Sequence, residues 1–205
     1  VGPSGGGKST LVDVVLGSLV PERGSVSVDG VEIGDDLSAW HQTLGYIPQS
    51  IYLIDGTVRQ NIALGLEDKD IDDTALVRAM KAASLDEFVR GLPDGVETLI
   101  GERGVRLSGG QRQRIAIARA LYHDPAVLIM DEATSALDNL TEKAVMEAVE
   151  ALKGKRTILM IAHRLSTVRG CERIFFLRDG EITGQGAYDD LIASHAEFAQ
   201  IANVR

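Results

Sequence analysis

Five consecutive apolar residues, Ala126–Met130, end on two acids, Asp131 and Glu132. A run that short and unbroken predicts a strand buried on both faces of a parallel sheet. Thr157–Ala162 predicts a second buried strand. Between the two, Leu140, Ala144, Val145, Ala148 and Leu152 recur at helical spacing, and Gly154 supplies the stop. Val26–Ile33 alternates about Asp29-Gly30, and Phe175–Thr183 brackets Asp179-Gly180, so each predicts a tight hairpin. Leu44–Pro48 reads as a short strand. From about Thr57 to Tyr122 the period becomes helical, with Leu76, Ala79, Met80 and Ala83 on one face. Pro93–Gly95 and Gly101–Gly104 break that region. A C-terminal amphipathic helix carries Leu191, Ile192, Phe198 and Ile201. Strands alternating with helices specify an α/β fold with a mainly parallel sheet. Its core is expected from residues 1–48 and 123–205, with a helical insertion over about 49–122.

Composition removes several alternatives. The chain has 205 residues, of which 44% are hydrophobic, as in an ordinary globular protein. Its longest apolar runs are far too short to span a bilayer. A net charge of −9 argues against a nucleic-acid-binding surface. One cysteine, Cys171, excludes an internal disulfide and fits a reducing compartment. The acidic stretch Glu67–Asp73 reads as a solvated loop or helix start. His41, His123 and His195 read as surface or packing residues.

The chemistry is concentrated in a few segments. Residues 2–9, Gly2-Pro3-Ser4-Gly5-Gly6-Gly7-Lys8-Ser9, follow G-x-x-x-x-G-K-[ST], the phosphate-binding loop. The glycines let successive backbone N–H groups point inward at phosphate. Lys8 would meet the β- and γ-phosphates, and the Ser9 hydroxyl would ligate Mg²⁺. Thr10 opens the helix behind, where Leu11, Val14 and Val15 keep helical spacing, so a helix dipole adds to the site. Asp131 suits the Mg²⁺ shell, and Glu132 is placed to orient or deprotonate an attacking water. His163, just after the second apolar strand, could bond the γ-phosphate or that water. Leu107-Ser108-Gly109-Gly110-Gln111 precedes another helix, with Ser108 as its N-cap. Bare glycine N–H groups beside Arg103, Arg106, Arg112 and Arg114 make it a second anion site.

Gly2–Ser9, Gln49, Leu107–Gln111, Val127–Glu132, Ser135–Asp138 and His163 together resemble the nucleotide-binding domain of an ATP-binding cassette protein, over essentially the whole chain. The resemblance implies a P-loop NTPase core with an inserted helical signature subdomain. It implies ATP and Mg²⁺ as ligands, with Gly2–Thr10 and Gln49 on the nucleotide and Ser9, Gln49 and Asp131 on the metal. It makes Glu132 the catalytic carboxylate and His163 the switch histidine. Leu107–Gln111 would contact the ATP held by a second such domain, in a head-to-tail dimer of identical chains, with Asp138 coupling the two sites. Glu132–Asp138, Ala162–Thr167 and Gly101–Gly104 are in the style of exporters. Ile51–Ile62 is similar to bacterial exporters of lipids, lipid-linked oligosaccharides and polysaccharides. Such a domain works at the cytoplasmic face of the inner membrane, with transmembrane domains expected upstream and no nucleic-acid partner.

Family members also carry an aromatic residue that stacks on adenine, ahead of the phosphate loop. That position would precede Val1, so a fragment of a longer polypeptide is expected, and weak ATP binding by these residues alone. Two other readings compete. A soluble cassette ATPase of the chromosome-maintenance type would need a coiled-coil insertion between Ser9 and Ser108, and none is present; a translation-type tandem cassette stays open. A non-hydrolysing ATP-gated clamp is opposed by intact Lys8, Asp131, Glu132 and His163.

Overall fold

The computed structural model describes residues 1–101, 107–133, 139–162 and 165–203. Along the chain run α1 (Lys8–Val15), β1 (Ser27–Val28), β2 (Val31–Glu32), α2 (Leu37–Gln42) and β3 (Leu44–Ile47). Then come α3 (Val58–Ile62), α4 (Asp73–Ala82), α5 (Asp86–Arg90), α6 (Gly109–Tyr122) and β4 (Val127–Asp131). The last elements are α7 (Asn139–Glu150), β5 (Thr157–Ile161), β6 (Ile174–Arg178), β7 (Glu181–Gly186), α8 (Tyr188–Ser194) and α9 (Ala196–Asn203). The chain divides into two compact units, one of Val1–His41 with Met160–Arg205 and one of Gln42–Leu159.

In the first unit, both expected hairpins form. Asp29 and Asp179 take φ of 51° and 52°, and Gly30 and Gly180 follow at 84° and 83°. Two successive left-handed residues make the turn that matches strand twist, which is why Asp-Gly is the signal. The core gathers Ala162, Leu165, Val168, Ile174, Phe176, Leu191 and Phe198. The far end of α1 is fastened by α2: Trp40 Nε1 donates to Val15 O (2.9 Å) and His41 Nε2 to Leu16 O (2.8 Å). Those carbonyls are among the ones a helix end leaves without intrahelical partners.

The C-terminus departs from expectation. One amphipathic helix is two, α8 and α9, broken at His195. His195 is the reason. Its Nδ1 accepts from Phe198 N (3.2 Å), capping α9, while its ring packs 4.6 Å from Phe176. Ile201, expected on the buried face, is exposed.

In the second unit, β3 and β4 pair in parallel, Leu44 opposite Val127 through Ile47 opposite Met130, within a sheet of order β3-β4-β5. Leu128, Ile129 and Met130 are buried, as the apolar run requires. β5 is less buried than Thr157–Ala162 suggested. Thr157 is exposed and the next three residues are half-covered, because β5 ends the described sheet order. Among the described side chains of α7, the buried ones are Val145 and Val149. Leu76, Ala79, Met80 and Ala83 are all buried, and α6 packs against α3, α4 and β3.

Candidate functional site

The phosphate loop lies in the first unit. Gly7 ends it at φ 94°, and α1 begins at Lys8, so the helix N-terminus follows the loop directly. Gly6 N donates to Pro3 O (3.2 Å), closing a turn. Lys8 is buried, and its Nζ donates to Gly2 O (2.9 Å) and Pro3 O (2.8 Å). An ammonium has three donors, so the lysine braces its own loop with two and keeps one for a phosphate oxygen. Ser4, Gly5, Ser9 and Thr10 are exposed, and the Ser9 hydroxyl is accessible to a ligand.

Behind the loop lies β6. Leu177 N donates to Val1 O (2.9 Å), the Val1 amine donates to Phe175 O (2.9 Å), and Gly180 N donates to Gly6 O (3.3 Å). Val1 thus makes the two-bond pattern of a parallel bridge centred on Phe176. A Cβ on Gly2 would lie 2.0 Å from Leu177 O, and one on Gly6 would lie 3.0 Å from it. The sequence explains these glycines by room for phosphate. The structure adds a second reason, the strand backbone on the other side.

The acidic corner belongs to the second unit. Asp131 is buried at the end of β4, and Glu132 follows with φ 48°, a left-handed conformation costly for a residue with a side chain. Gln49 Nε2 donates to Glu132 Oε2 at 2.5 Å. The register explains how residues so far apart in sequence meet. Ile47 pairs with Met130, so two residues further along each strand, Gln49 and Glu132 stand side by side. Both sit beyond carboxyl ends of parallel strands, where such sheets bind ligands.

Leu107–Gln111 opens α6. Ser108 Oγ accepts from Gln111 N (3.2 Å) and Gln111 Oε1 accepts from Ser108 N (2.8 Å), a reciprocal capping box. The Ser108 side chain is exposed, and its O–H remains able to donate. Arg112 and Arg114, read as making this site positive, are turned to backbone carbonyls: Arg112 donates to Leu107 O (3.1 Å) and Arg114 to Ser84 O (3.0 Å). Thr57 and Gln60 form a second capping box at α3 that sequence reading missed, although T-x-x-Q was there to see. Asp138, His163, Arg103 and Arg106 lie outside the described residues, as does most of Gly101–Gly104.

The ABC transporter family matches residues 1–135. This chain belongs to the ABC transporter family. Its α/β fold is that of the family's ATP-binding domains. An ATP-dependent lipid A-core flippase of Cupriavidus pinatubonensis is 44% identical, covering 100% of this chain and 35% of the flippase. A multidrug resistance ABC transporter ATP-binding and permease protein of Lactococcus lactis is 42% identical, over 97% of this chain and 34% of that protein. The solved structure of a bacterial Atm1-family ABC exporter with ATP bound superposes with a TM-score of 0.90 at 37% identity, over 98% of this chain and 35% of the exporter. The chain therefore spans about a third of the length of these two relatives. Among the described residues, no helix is long and apolar enough to cross a membrane.

The donor set suits the ligands that the ABC family implies. Ser9 hydroxyl, Gln49 amide and Asp131 carboxylate are hard oxygen donors, the kind Mg²⁺ accepts alongside phosphate oxygens. The glycine faces of the loop would admit phosphate where a Cβ would intrude.

Proposed function

We propose that this chain is the engine of an ABC exporter. It binds Mg²⁺–ATP through Gly2–Thr10 and Gln49, with Ser9, Gln49 and Asp131 toward the metal, and hydrolyses it with Glu132 as base and His163 as switch. When bound, the metal would neutralise charge on the phosphates. Lys8 steadies the loop and the β- and γ-phosphates. Glu132, fixed by Gln49 and by its own backbone, takes the proton of the attacking water. The observation that carries this reading is the Gln49–Glu132 pair at 2.5 Å, at the carboxyl ends of adjacent parallel strands.

The same reading makes residues about 49–122 a helical subdomain on a core of 1–48 and 123–205. It makes Leu107–Gln111 the lid over the nucleotide of an identical partner domain, head-to-tail, with Asp138 coupling the sites. Transmembrane domains fused upstream would place the chain at the cytoplasmic face of the inner membrane. The flippase relative supports a lipid or lipid-linked saccharide as cargo.

Glu132→Gln in the full-length protein tests the assignment. ATP binding should persist while steady-state hydrolysis falls at least about a hundredfold. Unchanged turnover would remove Glu132 from the chemistry. Lys8→Ala should instead weaken binding itself, read by calorimetry.

A further inference from the structure

Gln49 is only as useful as the precision with which it meets Glu132, and it stands on a loop. Three residues on, Tyr52 O accepts from Arg119 Nη1 (2.9 Å). The same guanidinium donates through Nε to Asn61 O (2.8 Å) and through Nη2 to Asn61 Oδ1 (3.4 Å). Asn61 is fully buried, donates to Ile54 O (3.1 Å) and Thr57 O (3.0 Å), and accepts from Ile54 N (2.9 Å). Arg119 and Asn61 thus close the segment from Tyr52 to Asn61 at both ends.

The other side of Gln49 is held by the next residue of the same helix. Ala120 O lies 2.5 Å from where a Cβ on Gly45 would stand, so only glycine lets α6 approach β3 this closely. Adjacent residues of α6 therefore grip the chain at Gly45 and at Tyr52, on either side of Gln49.

The energetics argue against a purely structural staple. Among the described residues, all three Arg119 bonds go to neutral oxygens, and desolvation lowers the guanidinium's pKa. A cation drawn from water without a carboxylate partner is expensive, and an apolar side chain would stabilise the helix more cheaply. Arg112 and Arg114 on the same helix fasten one carbonyl each. Arg119 fastens two separated positions.

We propose that Arg119 is a positioning residue for hydrolysis: through Tyr52 and Asn61 it fixes the loop that presents Gln49 to Glu132. The proposal rests on the roles given above to Gln49 and Glu132. The test is Arg119→Lys in the full-length protein, since a single ammonium cannot span Tyr52 O and Asn61 O as the guanidinium fork does. ATP turnover at saturation should fall about tenfold to a hundredfold, the effect of a displaced catalytic group, with a smaller rise in KM for ATP, within about threefold, because Gln49 also faces the nucleotide. Ile115→Val, a buried change on the same helix, gives the control for stability loss alone. In a Gln49→Ala background, followed by single turnover, Arg119→Lys should add less than about a twofold loss, because coupled residues are non-additive. Unchanged turnover in Arg119→Lys would overturn the proposal. So would the full loss on top of Gln49→Ala, or an equal loss in Ile115→Val at a matched unfolding midpoint. Glu132→Gln separates the two claims: if it hydrolyses ATP normally, the assignment of the base fails, whatever Arg119 does.

Discussion

The phosphate loop and the acidic corner achieve rigidity by different means. The loop is shaped by backbone: glycines at φ 78° and 94°, a turn from Gly6 N to Pro3 O, and a strand carbonyl where the Gly2 side chain would be. Among the described residues, its lysine bonds only to the loop's own carbonyls, Gly2 O and Pro3 O. The corner is shaped by side chains from far apart: Gln49 on Glu132, Arg119 on Tyr52 and Asn61. A backbone-built site should fail when a Cβ is added. A side-chain-built site should fail in activity while the fold survives.

The sharpest test is Gly2→Ala. The new Cβ would overlap Leu177 O, and φ 143° is poorly suited to alanine. Overpacking and backbone strain together should cost about 3 kcal/mol or more, lowering the urea midpoint and ATP affinity together. A stable variant that binds ATP normally would mean that the strand behind the loop yields, and the contrast would collapse.

Glu132→Asn probes the opposite pole. Asparagine tolerates the left-handed conformation that glutamate occupies at φ 48°. Relief of strain, about 1 kcal/mol, should offset the lost bond to Gln49. Turnover should vanish while the unfolding midpoint holds or rises, the usual exchange of stability for function. A loss above about 2 kcal/mol would show that the Gln49 bond, and not the backbone, dominates stability there.

This contrast also explains what the sequence could reveal. The loop was legible because its requirements are local: glycines, a lysine and a helix start within ten residues. The hairpins at Asp29-Gly30 and Asp179-Gly180 were legible for the same reason. The Gln49–Glu132 meeting was not, because it depends on the β3–β4 register, which no local spacing encodes. Nor was Leu177 O behind Gly2, since an interstrand carbonyl leaves no mark on residue type. The split at His195 was missed because an imidazole acting as a helix cap resembles any surface histidine. The two capping boxes are local, T-x-x-Q and S-x-x-Q, and of the two only the Ser108 cap is read from the sequence.

Ser108→Ala gives a smaller effect. It removes one arm of the box that starts α6, and should cost about 1 kcal/mol. Helical content and the urea midpoint read that loss. Ser108→Asp should recover the stability, because aspartate caps as well as serine. A variant as stable as the parent would mean that packing of α6 alone sets where the helix begins.

The smallest effect comes at Asp124, where backbone and side chain contribute in one residue. Its φ is 56°, in the turn that leads through Pro125 into β4. Its carboxylate bonds Arg156, which holds the carboxyl below its ordinary value of 3.8. The side chain is largely exposed, so the ion pair is worth about 0–1 kcal/mol. A carboxyl with a lowered folded pKa stabilises above its unfolded pKa, and that contribution fades as pH falls through the folded value. The substitution Asp124→Asn would keep the left-handed turn, and the new amide oxygen can still accept from Arg156, so the change should cost under about 0.5 kcal/mol at pH 7. The difference between parent and D124N should shrink further only as pH falls below 3.8 through the lowered folded value, where the parent's carboxyl gains its proton as well. Asp124→Ala should cost about 1 kcal/mol at both pH values, because alanine gains nothing from the left-handed turn. Urea midpoints at about pH 7 and pH 3 decide it. If D124N is as damaging as D124A, and only at neutral pH, charge holds this turn, and the backbone rule drawn from the phosphate loop stops there.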